Sequence, residues 1–199
     1  MAERITKTNL KDYIGASAYS DLVFTSDIDI AGVPSLLQSN FGEKDDNDCF
    51  LVSLTALINY YTKNKTAEIY VDILRMAWGL EIFPNDNGLD LFDQKNLVNK
   101  IGNKNDLNGN TALLPFMTWN KLKGKIEDGT PMILSMFTSD GRGFYKKHSV
   151  TVCGYCEVTY KKKKYKFLKV KDNWSIKTSY IDFAKLPLIY ACVHFYERI

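Results

Sequence analysis

With 199 residues, 45% of them apolar and 13% aromatic, the chain is long enough to bury one substantial core or two closely packed lobes. Its 26 basic and 23 acidic residues leave a net charge of +3, too small and too scattered to mark a nucleic-acid or anionic-membrane partner. No stretch reaches the roughly 18 consecutive apolar residues of a membrane span, and Met1-Ala2-Glu3-Arg4 carries no apolar signal core; a soluble protein is expected, cytoplasmic or secreted with its leader removed.

Residues 1 to 47 are mixed and turn-rich and end in the polar run Gly42 to Asp48, which reads as a surface loop. From Cys49 to about Asn64, Leu51, Leu54, Leu57, Ile58 and Tyr61 recur at three- and four-residue steps, predicting a helix with one buried face, Asp48 as its N-cap and Cys49 in its first turn. Further helices are predicted over Glu68 to Trp78, stopped by Gly79, and over Leu89 to Ile101, stopped by Gly102. A fourth runs from Thr118, its N-cap, to Asp128 before Gly129-Thr130-Pro131. Then the pattern changes to short runs of strand composition at Met132 to Phe137, Ser149 to Tyr155 and Lys166 to Lys171, with a strand-like Ala191 to Tyr196 at the end, so an antiparallel sheet is expected. Lys161 to Lys164 falls between two of these strands, where a hairpin turn exposes the lysines to water.

Cys49, Cys153, Cys156 and Cys192 are too sparse for a disulfide framework and read as free thiols. The Cys153-Gly154-Tyr155-Cys156 spacing suits a redox or zinc motif, but it lies in an apolar run with no second pair, so both cysteines read as strand residues. No metal or cofactor is implied, and Asp45 to Asp48 lacks the spaced ligands of a calcium loop.

Three residues carry the chemistry, in the chain order cysteine, histidine, carboxylate. Cys49 opens a helix, where unpaired amides and aligned peptide dipoles favour a thiolate and donate to the oxyanion of a tetrahedral intermediate. A thiol pKa below the ordinary value is expected there. Of the two histidines, His148 stands at a loop-to-strand edge and His194 inside a terminal strand, so His148 is the candidate base. Asp172-Asn173-Trp174 follows the next strand; either the Asp172 carboxylate or the Asn173 amide can accept from the imidazole, with Trp174 shielding that bond.

This pattern resembles papain-like cysteine peptidases, in particular the compact bacterial branch of bacteriocin-leader-processing and streptopain-like enzymes, over roughly residues 34 to 196. Asp48-Cys49-Phe50-Leu51 is similar to the start of the family's central helix. His148-Ser149-Val150-Thr151-Val152-Cys153-Gly154-Tyr155 matches its His-x-Val-x-Val-x-Gly-Tyr strand, Gly129-Thr130-Pro131 its Gly-x-Pro turn, and Asp172 before Trp174 its carboxylate or amide two residues before a tryptophan.

The resemblance implies an α+β papain-like fold in a single domain over 1–199: a mainly helical lobe (1–128) whose cysteine helix packs against an antiparallel sheet lobe (129–199). It implies a hydrolase cleaving peptide or protein substrates through Cys49, His148 and Asp172, by way of a thioester. The Cys49-to-His148 separation is shorter than the roughly 130–150 residues of papain and cathepsins, and their Cys-Gly-Ser/Ala-Cys-Trp/Tyr signature is absent. Where the family's oxyanion-hole glutamine is expected, about six residues before the cysteine, this chain has Glu43; Gln38, Asn47 or Asn40 is left to donate. Two alternatives stay open: transglutaminase- or amidase-type acyl transfer by the same triad, and an inactive papain-like binding module.

Overall fold

The computed structural model describes residues 4–41, 48–82, 88–137, 145 and 147–199. In chain order the elements are β1 (Ile5–Thr6), α1 (Leu10–Ile14), β2 (Val23–Asp29), α2 (Cys49–Thr62), α3 (Thr66–Gly79), α4 (Leu91–Lys104), β3 (Leu107–Leu113), α5 (Trp119–Glu127), β4 (Met132–Met136), β5 (His148–Tyr160), β6 (Lys163–Lys171), β7 (Ser179–Asp182) and β8 (Ala191–Arg198). All strand pairs are antiparallel, in one sheet ordered β1-β7-β6-β5-β4-β8-β3, and β2 joins from the side of β5. The mixed helix and antiparallel-sheet class is the one expected. The division at residue 128 is not: β1, β2 and β3 come from the first 128 residues and extend the same sheet.

The period-two pattern of β4 and β5 explains the layering. Met132, Leu134, Val150, Val152 and Tyr155 share a core with Trp119, Leu122 and Ile126 of α5, whereas Ile133 packs with α2, α3 and α4. Helix α2 is therefore enclosed, with the sheet beneath it and α3 and α4 against it. Every residue from Cys49 to Ile58 is buried, so the apolar stripe read from the sequence is part of a helix buried all round. Among the described residues, no helix is long and apolar enough to cross a membrane.

Several end signals act differently from expectation. Asp48 stands at the N-cap position of α2, but its side chain makes no cap bond; its Oδ2 accepts from the Tyr70 hydroxyl at 2.6 Å. Gly102 does not stop α4, which runs on to Lys104; a Cβ there would lie 2.7 Å from the Tyr196 ring, so the glycine lets the helix approach β8. The lysine turn is tighter than predicted, with Lys161 and Lys162 alone between β5 and β6, both left-handed (φ 46° and 67°) as a two-residue hairpin requires. Cys153 and Cys156 are buried free thiols in β5.

Strand β5 positions the site. One of its edges is shared, β4 pairing with His148–Val152 and β2 with Gly154–Thr159. Its other edge pairs with β6 only as far as Thr151–Lys171. Ser149 thus lies beyond the last β5–β6 pair, and its main-chain groups are open to other partners.

Candidate active site

The gap beyond the end of β6 is filled by the first turn of α2 and by the turn at Asp172–Asn173. The Ser149 amide donates to Cys49 Sγ at 3.4 Å, and the Ser149 carbonyl accepts from Ser53 Oγ at 3.2 Å and Asn173 Nδ2 at 3.2 Å. The Ser149 hydroxyl lies 2.8 Å from that of Ser135, its partner on β4. Cys49 and His148, far apart in the chain, are joined through one residue, Ser149.

His148 opens β5 and is 4% exposed. Its Nε2 lies 2.8 Å from the main-chain oxygen of Asp172. A carbonyl only accepts, so the proton of the neutral ring sits on Nε2 and Nδ1 keeps a lone pair. The Trp174 ring stacks on the imidazole with centroids 4.0 Å apart, and Tyr145 stacks at 5.7 Å, fixing the plane of the ring.

The Asp172 carboxylate has other work. Its Oδ2 accepts from Tyr145 Oη and Ser179 Oγ, both at 2.8 Å, and pairs with the Arg4 guanidinium at 2.8 Å; its Oδ1 accepts the Trp174 and Ser175 amides at 3.2 Å. The residue expected to orient the histidine meets it through its backbone, and its side chain organises the turn that aims that carbonyl.

Asn173 is left-handed (φ 64°), a conformation asparagine tolerates better than most residues. Its Nδ2 lies within hydrogen-bond distance of Cys49 O (3.0 Å), Ser53 Oγ (2.8 Å) and Ser149 O (3.2 Å), so this amide fastens the cysteine helix to the histidine strand. The Asn173 carbonyl accepts the Gln38 amide at 2.8 Å, which brings the half-buried Gln38 to the same turn. Asn47, the other oxyanion candidate, lies outside the described residues; Asn40 is exposed.

The electrostatics depart from expectation. Burial pushes the Cys49 thiol above its ordinary pKa, outweighing the amides of Ser149 and Phe50 and the Ser149 hydroxyl, which favour the thiolate. Burial also lowers His148 to about 4 against the Asp172 contacts. The resting pair is a neutral thiol and a neutral imidazole. Among the described residues, the sulfur's hydrogen-bond partners are Ser149 and the Phe50 amide rather than the imidazole itself.

The second histidine also meets a thiol. His194 Nε2 lies 3.2 Å from Cys192 Sγ and 2.9 Å from Gln94 Oε1, with Nδ1 2.9 Å from Thr111 Oγ1. Both His194 and Cys192 are fully buried, so this pair is part of the core and beyond the reach of a substrate. No group of three or more His, Cys, Asp or Glu able to hold a metal is found among the described residues. No protein-family model matches the chain, and no curated protein matches it.

Proposed function

We propose that the protein is a thiol hydrolase of the peptidase type, similar to papain-like cysteine peptidases, with Cys49 as nucleophile and His148 as base. The observation that carries this reading is the junction at Ser149, where the N-terminus of α2, the histidine strand and the Asp172–Asn173 turn meet. His148 Nδ1 accepts the thiol proton as the sulfur attacks a peptide carbonyl, forming the C–S bond. The first-turn amides of an α-helix lack a carbonyl partner within the helix, and those of α2 together with the Gln38 side chain are the donors for the resulting oxyanion. Collapse breaks the C–N bond, and His148 returns its proton to the leaving amine. Water, deprotonated by the same nitrogen, then hydrolyses the thioester and restores the thiol.

The test needs no known substrate at its first step. In His148→Gln an amide can still meet the Asp172 carbonyl, but no base remains; Cys49 is expected to react with iodoacetamide about tenfold more slowly than in the wild type at neutral pH. Equal rates overturn the reading. Wild type and Cys49→Ala are then compared on a peptide mixture by mass spectrometry, where peptide-bond cleavage by the wild type alone is expected. Release of a free amine from glutamine without chain cleavage assigns the acyl-transfer chemistry instead. A second reading, the inert binding module, is favoured by one observation, the 9% exposure of Cys49 with its raised pKa.

A further inference from the structure

We infer that Arg4 is a positioning residue for this thiol chemistry, and that β1, the two-residue strand beside it, is a latch on the catalytic turn. The inference rests on the proposed Cys49–His148 reaction and adds to it a residue from the opposite end of the chain.

Arg4 Nη2 pairs with Asp172 Oδ2 at 2.8 Å and also donates to Lys177 O at 3.2 Å, while its Nε donates to Ser179 Oγ at 2.6 Å. Ser179 Oγ in turn donates to the same Asp172 oxygen. One guanidinium thus spans both ends of the loop from Asp172 to Ser179, using the forked geometry that separates arginine from lysine. The Asp172 side chain is fully buried, and among the described residues Arg4 is the cation paired with it, the other donors being neutral hydroxyls and amides.

What this loop holds gives the contact its meaning. Successive carbonyls of the turn bind His148 Nε2 and the Gln38 amide, and Trp174 beside them stacks on the imidazole. A displaced Asp172 therefore moves the imidazole and the segment bearing the oxyanion candidate together. The strand that delivers Arg4 pairs with β7 at Ile5–Tyr180 and Thr6–Ser179, and Asn9 Nδ2 donates to the Arg4 carbonyl at 2.9 Å, so the backbone carrying the guanidinium is itself held against the sheet. Positional error of about 1 Å at a catalytic group costs on the order of a hundredfold in rate.

The experiment is a double-mutant comparison read at a single sulfur. Wild type, Arg4→Ala, His148→Gln and the double variant are pulsed with iodoacetamide, and labelling at Cys49 is quantified by mass spectrometry. The other three thiols, all buried, report whether the fold is intact. The rate enhancement attributable to His148 is expected to fall from about tenfold to about twofold in the Arg4→Ala background while Cys153, Cys156 and Cys192 stay protected. Added guanidinium is expected to restore the enhancement, and sodium chloride of equal ionic strength is not. An unchanged enhancement in Arg4→Ala overturns the inference and leaves the thiol-imidazole reading standing. If His148→Gln has no effect in the wild-type background, that reading fails and the inference falls with it. Should the buried thiols of Arg4→Ala become labelled, Arg4→Lys decides: it keeps the charge without the fork, so a partial loss with a protected core supports the inference and an unchanged rate overturns it.

Discussion

The imidazole Nε2 of His148 lies 2.8 Å from the main-chain oxygen of Asp172, while the carboxylate of that residue is bound by Arg4, Tyr145, Ser179 and two amides. Orientation by a backbone carbonyl survives substitution of the side chain that bears it. Where a carboxylate itself holds the histidine, conversion to the amide costs about ten-thousandfold in turnover. Here Asp172→Asn is expected to lose only about tenfold to a hundredfold, by loosening the turn, and His148→Gln about a thousandfold. Turnover of a peptide that the wild-type protein cleaves measures both; equal losses would mean that the carboxylate acts directly.

The ionisation of the site sets a second expectation. With Cys49 raised by burial and His148 lowered to about 4, no thiolate–imidazolium pair exists in mildly acid solution. The alkylation rate of Cys49 is expected to climb steadily from pH 5 to pH 9, following deprotonation of the thiol. A plateau below pH 6 would show a preformed ion pair and contradict the dominance of burial.

Acid should weaken the fold through the same histidine and its buried counterpart. Burial lowers His148 from 6.5 to about 4 and His194 to about 3, so the folded state refuses protons that the unfolded chain accepts. The stabilisation is complete above pH 6.5 and is lost as the pH falls, through about 4 for His148 and about 3 for His194. For His148 alone the linkage is worth about 3 kcal/mol. Urea unfolding at pH 7, 5.5 and 4 is expected to show this decline, and His194→Gln should flatten it.

Much of this architecture is legible in the sequence because its signals are local. The periodicity of α2, the alternation at the start of β5 and the Asp-Asn-Trp turn depend on neighbours a few residues away. Strand β2, Val23–Asp29, has no fully buried residue and mixes polar with apolar side chains, so its sequence carries little of a strand signal; close backbone approach admits it to the sheet, Gly154 leaving room for the Ile28 carbonyl where a Cβ would lie only 2.3 Å away. Strand β3, with Asn and Gly in its middle, is equally silent. The residues of the site are legible by type, but not the part each plays. A residue name does not say whether its carbonyl or its carboxylate faces the histidine, and nothing near Arg4 announces a partner at the far end of the chain. The lowered thiol pKa expected from helix position fails for a related reason: burial of Cys49 against β5 and the Asp172–Asn173 turn is a property of the fold, and the desolvation outweighs the first-turn amides.

Asn173 tests how the two halves of the site are held together. Its amide faces three acceptors, on Cys49, Ser53 and Ser149, and is 2% exposed, so each acceptor depends on it for part of its compensation for lost water. Asn173→Gly keeps the left-handed backbone at no steric cost while deleting the amide with its methylene and adding glycine's entropic cost; a loss of about 2–3 kcal/mol is expected. Asn173→Asp keeps the shape but replaces the donor with an oxygen facing two carbonyls, and buries a charge without a cation, so it should cost more than the glycine despite being the closer match in size. Because the same amide fixes the distance between α2 and β5, both variants are expected to depress the reactivity of Cys49 along with stability. Denaturant titration combined with Cys49 labelling measures the pair of effects, and a glycine variant weaker than the aspartate would show that backbone conformation, not the amide bridge, secures the junction.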